Sequence, residues 1–321
     1  MSSSTEYDSR PTRERARKLN YYNALSMTIK RILVGTDFSP EAVVATEHAV
    51  KLARYLDAEL ELVHYGTVPD ETRDVPPGSS SAPVINQLAL AKLAEDKARL
   101  DELRTEIEAR GVAVTARLID AYPDIGLCDS AEELDVGLVV TGTHGRTGLS
   151  RFLLGSVAER VMRNCKRPIM VARNSDHDTE GGFKRILVPT DFSQLAERAL
   201  EFALGLAASA GVVELFHCWQ VPPMTMGYEL EPLVESLGSE VQAQGDALLE
   251  THARDDVHLG FFALRDAPAQ GIQVRLEQED FDCVVMGSHG RRGLSRFLLG
   301  SVAEVTVRHA PCSVIVVPNR G

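Results

Sequence analysis

The twenty residues GTHGRTGLSRFLLGSVAERV, numbered 142–161, return almost unchanged as GSHGRRGLSRFLLGSVAEVT at 287–306. The two segments match at 16 of 20 positions without a gap. Each follows a short apolar run, 138–140 in the first copy and 283–286 in the second, and each ends in the pattern of a helix start. The chain therefore carries one unit of strand, glycine-rich loop and helix twice.

A second repeated block lies upstream of each glycine-rich segment. It reads KRILVGTDFS at 30–39 and KRILVPTDFS at 184–193, and it differs only at Gly35 and Pro189. Two blocks repeated in the same order indicate that whole domains are duplicated. We predict four segments, which are a polar leader at 1–27, a first domain at 28–173, a linker at 174–183 and a second domain at 184–321.

Within each copy, apolar runs alternate with helical patterns, which is typical of a parallel sheet covered by helices on both faces. In the first copy we predict strands at 31–36, 59–65, 112–119, 136–141 and 168–172, helices at 41–56 and 85–110 and from about 123 and 156, and a loop at 67–83. In the second copy we predict strands at 185–190, 212–218, 257–264, 282–287 and 312–317, helices at 194–209, 229–253, 268–279 and 301–309, and a loop at 220–228. The predicted fold class is α/β, with two tandem doubly wound five-stranded domains.

Composition excludes several classes of protein. A net charge of −12 argues against broad binding to nucleic acid, which needs a basic footprint. No run approaches the roughly 18 apolar residues that cross a membrane, and residues 1–27 lack the apolar core of a secretory signal. We interpret this leader as a solvated tail, with a partner-binding arm as the alternative. The five cysteines form no C-x-x-C pair, so we expect small core residues in a reducing cytoplasm.

The glycine loop has the composition of a phosphate site. Its first-copy residues are Gly142, Gly145, Gly155 and Ser156, and the second copy repeats them at identical spacing as Gly287, Gly290, Gly300 and Ser301. Glycine allows close approach to backbone amides, and a helix start offers unpaired N–H groups to an anion. The serine can cap the helix, donate to the anion, or do both. A tight turn with a capped helix is the alternative, but the duplication favours phosphate binding.

Asp37 and Asp191 end the first strand of each copy. Each carboxylate can cap the following helix, together with Ser39 or Ser193. In an open α/β sheet, however, ligands bind beyond the carboxyl ends of the strands where the strand order reverses. If strands one and four flank that reversal, Asp37 faces the loop that begins at Gly142. One ligand would then meet a carboxylate and phosphate-binding amides, which suits a nucleoside phosphate.

Other polar residues near the same edge stay open to two interpretations. His144 and His289 lie inside the glycine loops, where each can contact phosphate or order the loop. His64 and His217 end the second strands, and a partly buried structural histidine is the favoured interpretation. Five arginines lie between the glycines, and they can neutralise phosphate or pair with surface acids: Arg146, Arg151, Arg291, Arg292 and Arg296. The sequence holds neither a P-loop motif nor a G-x-G-x-x-G after the first strand.

The motif G-x2-G-x9-G-[ST] after strand four, with V-x-T-D-F-S at strand one, resembles the universal stress protein family. The two motifs occur in order, twice, over about 28–173 and 183–318. The resemblance implies a tandem member with an adenine nucleotide alpha hydrolase-like fold and strand order 3-2-1-4-5 in each domain. The two copies differ within this motif at Gly35, where the second copy has Pro189.

In the nucleotide-binding branch of that family, the glycine motif holds ATP. When the family's contacts are carried over by position, the resemblance implies phosphate and ribose contacts in the first copy at Gly142, His144, Gly145, Gly155, Ser156 and Val157. It places them in the second copy on Gly287, His289, Gly290, Gly300, Ser301 and Val302. It places the nucleoside end at Thr36, Asp37, Thr190 and Asp191, with adenine meeting the backbone at Tyr65 or Cys218. No metal-ligand cluster is visible, and Mg²⁺ can arrive with the phosphates.

The fifth strands, 169–172 and 314–317, are predicted sheet edges. Family members pair such edges in dimers, so the resemblance implies an internal pseudo-dimer and allows a further homodimer. The resulting hypothesis is a cytoplasmic, ATP-binding stress-response regulator with up to two nucleotide sites and an unknown protein partner. One alternative is a slow ATP hydrolase or nucleotide transferase that uses the loop histidines and the strand-end aspartates. The other is an interaction scaffold with vestigial nucleotide sites.

Overall fold

The computed structural model describes residues 29–66, 82–144, 154–174, 181–221, 230–290 and 299–319. The leader at 1–27, most of the linker, Gly145 and the five loop arginines lie outside these residues. The first half contains the strands β1 (Arg31–Gly35), β2 (Glu59–Tyr65), β3 (Val114–Ile119), β4 (Leu138–Gly142) and β5 (Ile169–Ala172). Its helices are α1 (Pro40–Leu56), α2 (Ala82–Ala109), α3 (Pro123–Glu133) and α4 (Ser156–Asn164).

The second half repeats this order of elements. Its strands are β6 (Phe183–Pro189), β7 (Ala207–Cys218), β8 (Val257–Leu264), β9 (Cys283–Gly287) and β10 (Ser313–Val317). Its helices are α5 (Gln194–Leu206), α6 (Leu230–His252), α7 (Pro268–Gln278) and α8 (Ser301–His309). The alternation of strand and helix predicted from the sequence is therefore present in both halves.

The described strands form one ten-stranded sheet in the order β3-β2-β1-β4-β5-β10-β9-β6-β7-β8. Within each half the strands run parallel, in the order that the family resemblance implies. The two fifth strands join the halves by antiparallel pairing, with Met170 opposite Ile315. Each half thus covers the other's sheet edge, as expected for two such edges in one chain.

Side chains alternate between two layers of helices. In β1, Ile32 and Val34 belong to one apolar cluster and Leu33 belongs to the other. The first cluster is filled from α1, α2, α5 and α6, and the second from α3, α4, α7 and α8. Because both faces of the central strands β4, β5, β9 and β10 are buried, these strands read as continuous apolar runs rather than as alternating ones.

Two predicted boundaries in the second half were wrong. Helix α5 ends at Leu206 rather than at residue 209, and β7 begins at Ala207 rather than at residue 212. Helix α5 ends early because Ala207 pairs with Phe183, a fully buried aromatic residue at the start of β6. Strand β6 therefore begins within the segment predicted as linker, and backbone pairing overrides the helical pattern of the alanine-rich sequence.

Charged groups cross the junction between the halves beside the paired strands. Arg163 of α4 contacts Glu304 of α8 at 3.4 Å, and Arg308 of α8 contacts Glu159 of α4 at 3.5 Å. The Arg173 guanidinium, just after β5, donates to the carbonyls of Val307 and Arg308 at 2.7 and 3.0 Å. A cation at the last carbonyls of a helix is favourable. Helix α8 is therefore held at its C-terminal end by the first half.

None of the described helices is long and apolar enough to cross a membrane.

The joint between the halves gives a stability prediction. Ile315 is fully buried opposite Met170, so Ile315→Ala leaves a cavity and should lower the free energy of unfolding by about 2–5 kcal/mol. Val43→Ala, at a position 56% exposed on α1, should change it by less than about 0.5 kcal/mol. Urea denaturation followed by circular dichroism measures both, and equal effects would contradict the packing of this joint.

Candidate functional site

A cavity opens in each half beyond the carboxyl ends of the strands, where the strand order reverses. Strand β1 lies between β2 and β4, and β6 lies between β7 and β9. The chain leaves β1 and β6 toward one face of the sheet and leaves β4 and β9 toward the other, which opens a crevice between these connections. The first cavity has a volume of about 270 Å³ and the second of about 600 Å³.

The Thr-Asp-Phe-Ser turn forms one wall of each cavity. Its phenylalanine adopts a left-handed backbone, with φ of 61° at both Phe38 and Phe192. This conformation costs an L-residue about 1–2 kcal/mol. Hydrogen bonds offset the cost, since the Phe38 amide donates to Thr36 Oγ1 at 3.1 Å and the Phe192 amide to Thr190 Oγ1 at 3.0 Å. The turn thereby positions the aspartate that lies between the threonine and the phenylalanine at the cavity wall.

The strand-end histidines support this turn from behind. His64 Nδ1 lies 2.7 Å from the Thr36 carbonyl, and His217 Nδ1 lies 2.7 Å from the Thr190 carbonyl. A carbonyl only accepts, so each Nδ1 carries the proton and donates. Each imidazole also packs against the turn's phenylalanine, with ring centroids 4.8 and 4.5 Å apart. The structural interpretation of these histidines agrees with the contacts, although His217 also lines the second cavity.

The aspartates hold the serines that cap the following helices, and they also line the cavities. Asp37 Oδ1 accepts from the Ser39 amide at 3.0 Å and from its hydroxyl at 2.5 Å, while Ser39 Oγ accepts from the first turn of α1. Asp191 Oδ1 accepts from the Ser193 amide in the same way, at 3.1 Å. Both aspartates also line the cavities. A Cβ placed on Gly290 would lie 3.0 Å from Asp191 Oδ2, so the carboxylate and the glycine loop are close neighbours.

Helices α4 and α8 point their N-terminal ends into the cavities. Their N-cap residues are Gly155 and Gly300, which offer no side chain to the first amides. Neither serine occupies the capping position, because Ser156 and Ser301 are the first helical residues. The first N–H groups of a helix lack intrahelical partners, and the helix dipole adds positive potential there. These residues line the cavities, which is the arrangement that binds anions.

A histidine from each glycine loop lines the same cavity. The Nε2 atoms of His144 and His289 are buried and make no hydrogen bond within the described residues. Ser288 Oγ lies 2.9 Å from His289 Nδ1. Burial lowers the pKa of His289, and burial likewise lowers the pKa of His144, with Glu41 opposing the shift. A buried nitrogen without a partner is costly, so a ligand that bonds to it would gain stability.

The structure brings most of the predicted site residues together. Those lining the first cavity are Thr36, Asp37, Tyr65, Gly142, His144, Gly155, Ser156 and Val157. Those lining the second are Thr190, Asp191, Cys218, Gly287, His289, Gly290, Gly300, Ser301 and Val302. Gly145 lies outside the described residues, so its place in the site stays a prediction.

Sequence reasoning missed the apolar walls of both cavities. Leu127 and Pro123 of α3 line the first cavity, and Ile272 and Pro268 of α7 line the second. Phe216 and Met286 add to the wall of the second cavity. The prolines stand at matching distances before each glycine loop, which was a usable signal. The inward direction of the aliphatic side chains follows only from the packing of α3 and α7 on the sheet.

These features define a class of protein. It is a tandem α/β protein whose doubly wound halves each surround one cavity with an uncapped helix N-terminus, a carboxylate and a histidine whose Nε2 atom is buried. The chain belongs to the universal stress protein family, whose sequence model matches residues 28–173 and 182–318. The matched stretches are the two halves described above.

Individual relatives agree with this assignment. A universal stress protein of Methanocaldococcus jannaschii is 33% identical over 145 residues, covering 45% of this chain and 82% of the relative. One from Mycolicibacterium smegmatis is 28% identical over 316 residues, covering 92% and 99%. A solved universal stress protein from Archaeoglobus fulgidus has a TM-score of 0.59 at 22% identity, covering 90% and 96%. The solved structure supports the fold alone.

The half-buried loop histidines give a pH prediction. We expect His144 and His289 to titrate below about 6.5, the ordinary histidine pKa, because burial disfavours the charged ring. As pH falls through 6.5, the unfolded chain takes up protons that the folded chain does not, so the free energy of unfolding should decrease. NMR titration of the ring signals measures both values, assigned through His144→Asn and His289→Asn. A pKa at or above 6.5 for either ring would contradict this burial.

Proposed function

We propose that this protein binds ATP at the cavities between the first and fourth strands of its halves, with up to two sites per chain. The observation that carries the proposal is the uncapped N-terminus of α8, which opens into the same cavity as Asp191. A triphosphate suits the amides and the helix dipole, and ribose hydroxyls suit a carboxylate acceptor. The resemblance of the glycine motif to the ATP-binding branch of the family supports the same ligand.

The residues fit a nucleotide in size and in polarity. A volume of about 600 Å³ lies within the range of roughly 300–1,000 Å³ that is usual for small-molecule sites. The wall formed by Phe216, Ile272 and Met286 is apolar and suits a purine ring. His289 Nε2, buried without a partner in the described part of the chain, offers a donor to a phosphate oxygen. Each chemical part of the nucleotide therefore has a counterpart in the cavity.

We infer that Mg²⁺ enters with the triphosphate rather than through a protein cage. Among the described residues, no group of three or more His, Cys, Asp or Glu side chains could hold a metal ion. Mg²⁺ commonly binds through substrate phosphates and water, with one or two carboxylates. The proposal extends to a cytoplasmic regulator of the stress response that signals nucleotide state to a protein partner, either as this chain alone or as a homodimer.

Calorimetric titration tests the nucleotide site. Gly155→Val/Gly300→Val adds side chains at the two N-cap residues that line the cavities. At Gly300 a Cβ alone would lie 3.1 Å from the Ser288 carbonyl oxygen. We expect wild-type protein to bind ATP and the double variant to bind it at least tenfold more weakly, since several phosphate contacts are lost together.

Gly260→Val is the matched control. Gly260 lies in β8 with open space around its Cβ, and valine is favoured in strands, so ATP affinity should stay at the wild-type value. Equal affinity in the wild type and in the double variant would contradict the assignment of the phosphate end.

A further inference from the structure

The two cavities differ at one wall. Each second strand ends on the residue that follows its histidine, which is Tyr65 in the first half and Cys218 in the second. Both side chains line their cavities and reach toward a glycine of the facing helix, Gly126 in α3 or Gly271 in α7. A phenol therefore occupies in one half the place that a small thiol occupies in the other.

Tyr65 is fixed in that place. Its hydroxyl donates to Ser130 Oγ at 3.0 Å, and its ring leaves no room for a Cβ on Gly126. Only 8% of the residue is exposed, and the ring belongs to the apolar cluster that contains Leu127 and Val63. Burial raises the pKa of its hydroxyl to about 12, so the phenol stays neutral and keeps donating. Moving the ring aside would break this bond and expose an aromatic face.

A stacking platform for adenine is the other role an aromatic residue could take here. Stacking needs an accessible ring face, and a residue that is 8% exposed offers little of one. The volume of the first cavity is about 270 Å³, less than half that of the second. The second cavity, with Cys218 at this wall, has about 600 Å³.

We propose that the second cavity takes a whole nucleoside triphosphate, and that Tyr65 excludes the base from the first. This inference rests on the proposed function and sharpens it to one ATP per chain. The first half keeps the uncapped N-terminus of α4 and the buried Nε2 of His144, so it retains the phosphate end of a site without the room for a nucleoside. Tyr65 is then the residue that sets the specificity of the two halves.

Exchanging the two residues tests the proposal by calorimetric stoichiometry. We expect one ATP per chain for the wild type and two for Tyr65→Cys, since the smaller side chain opens the first cavity. Cys218→Tyr should bind ATP at least tenfold more weakly than the wild type. Tyr122→Cys is the matched control, because it makes the same replacement at a tyrosine of the first half that is 66% exposed and outside the cavity. It should keep one ATP per chain.

Two equal sites in the wild type would overturn the inference and leave the proposed function standing. A folded Tyr65→Cys protein that still binds one ATP would do the same. Absence of ATP binding in every protein would overturn the proposed function and this inference together. Thermal melts followed by circular dichroism show which variants are folded.

If Tyr65→Cys does not fold, photolabelling of the wild type still tests which cavity holds the adenine base. An ATP photoprobe with its azide on the adenine ring should label peptides of the second half, around 216–221 and 268–272. Labelling of both halves to the same extent would overturn the inference.

Discussion

The reversal of strand order beside β1 and β6 is the constraint on which the rest of this structure depends. Because β1 lies between β2 and β4, the chain leaves β1 toward one face of the sheet and leaves β4 toward the other. Backbone from both connections meets at the carboxyl edge without filling it. The Thr-Asp-Phe-Ser turn and the N-terminus of α4 or α8 are brought together at this gap. Each alone would be an ordinary turn or helix start.

The junction between the halves places the two gaps on one continuous sheet. Pairing of β5 with β10 continues the sheet, and the Glu159, Arg163, Glu304 and Arg308 side chains link α4 to α8 beside it. Such ion pairs are partly exposed and contribute little stability individually. The contact of Arg173 with the last carbonyls of α8 differs, because the guanidinium is largely buried. The helix that forms the second site is therefore anchored at one end by the other half.

Much of the fold and site could be predicted from sequence because two motifs recur in order. The repeats identify strand ends, and the carboxyl ends of parallel strands share one edge. The end of α5 could not be predicted, since pairing of Ala207 with Phe183 is a long-range contact. The left-handed Phe38 and Phe192 are stabilised partly by the nearby Thr36 and Thr190 side chains. The support from His64 and His217 comes from the next strand and could not be predicted from the local sequence. The difference between Tyr65 and Cys218 was visible in the sequence, but its effect on the cavities depends on Gly126 and Ser130 of a separate helix.

The central claim is that the phosphates of ATP meet the first amides of α8. Backbone amide NMR during an ATP titration tests this most directly, since each N–H reports its own hydrogen bond. The account predicts that residues 301–303 show the largest downfield shifts of the described chain, because these first amides of α8 gain charged acceptors, whereas the Gly300 amide already donates to the Ser288 carbonyl at 2.8 Å. Shifts confined to residues remote from both cavities, with 301–303 unchanged, would contradict it.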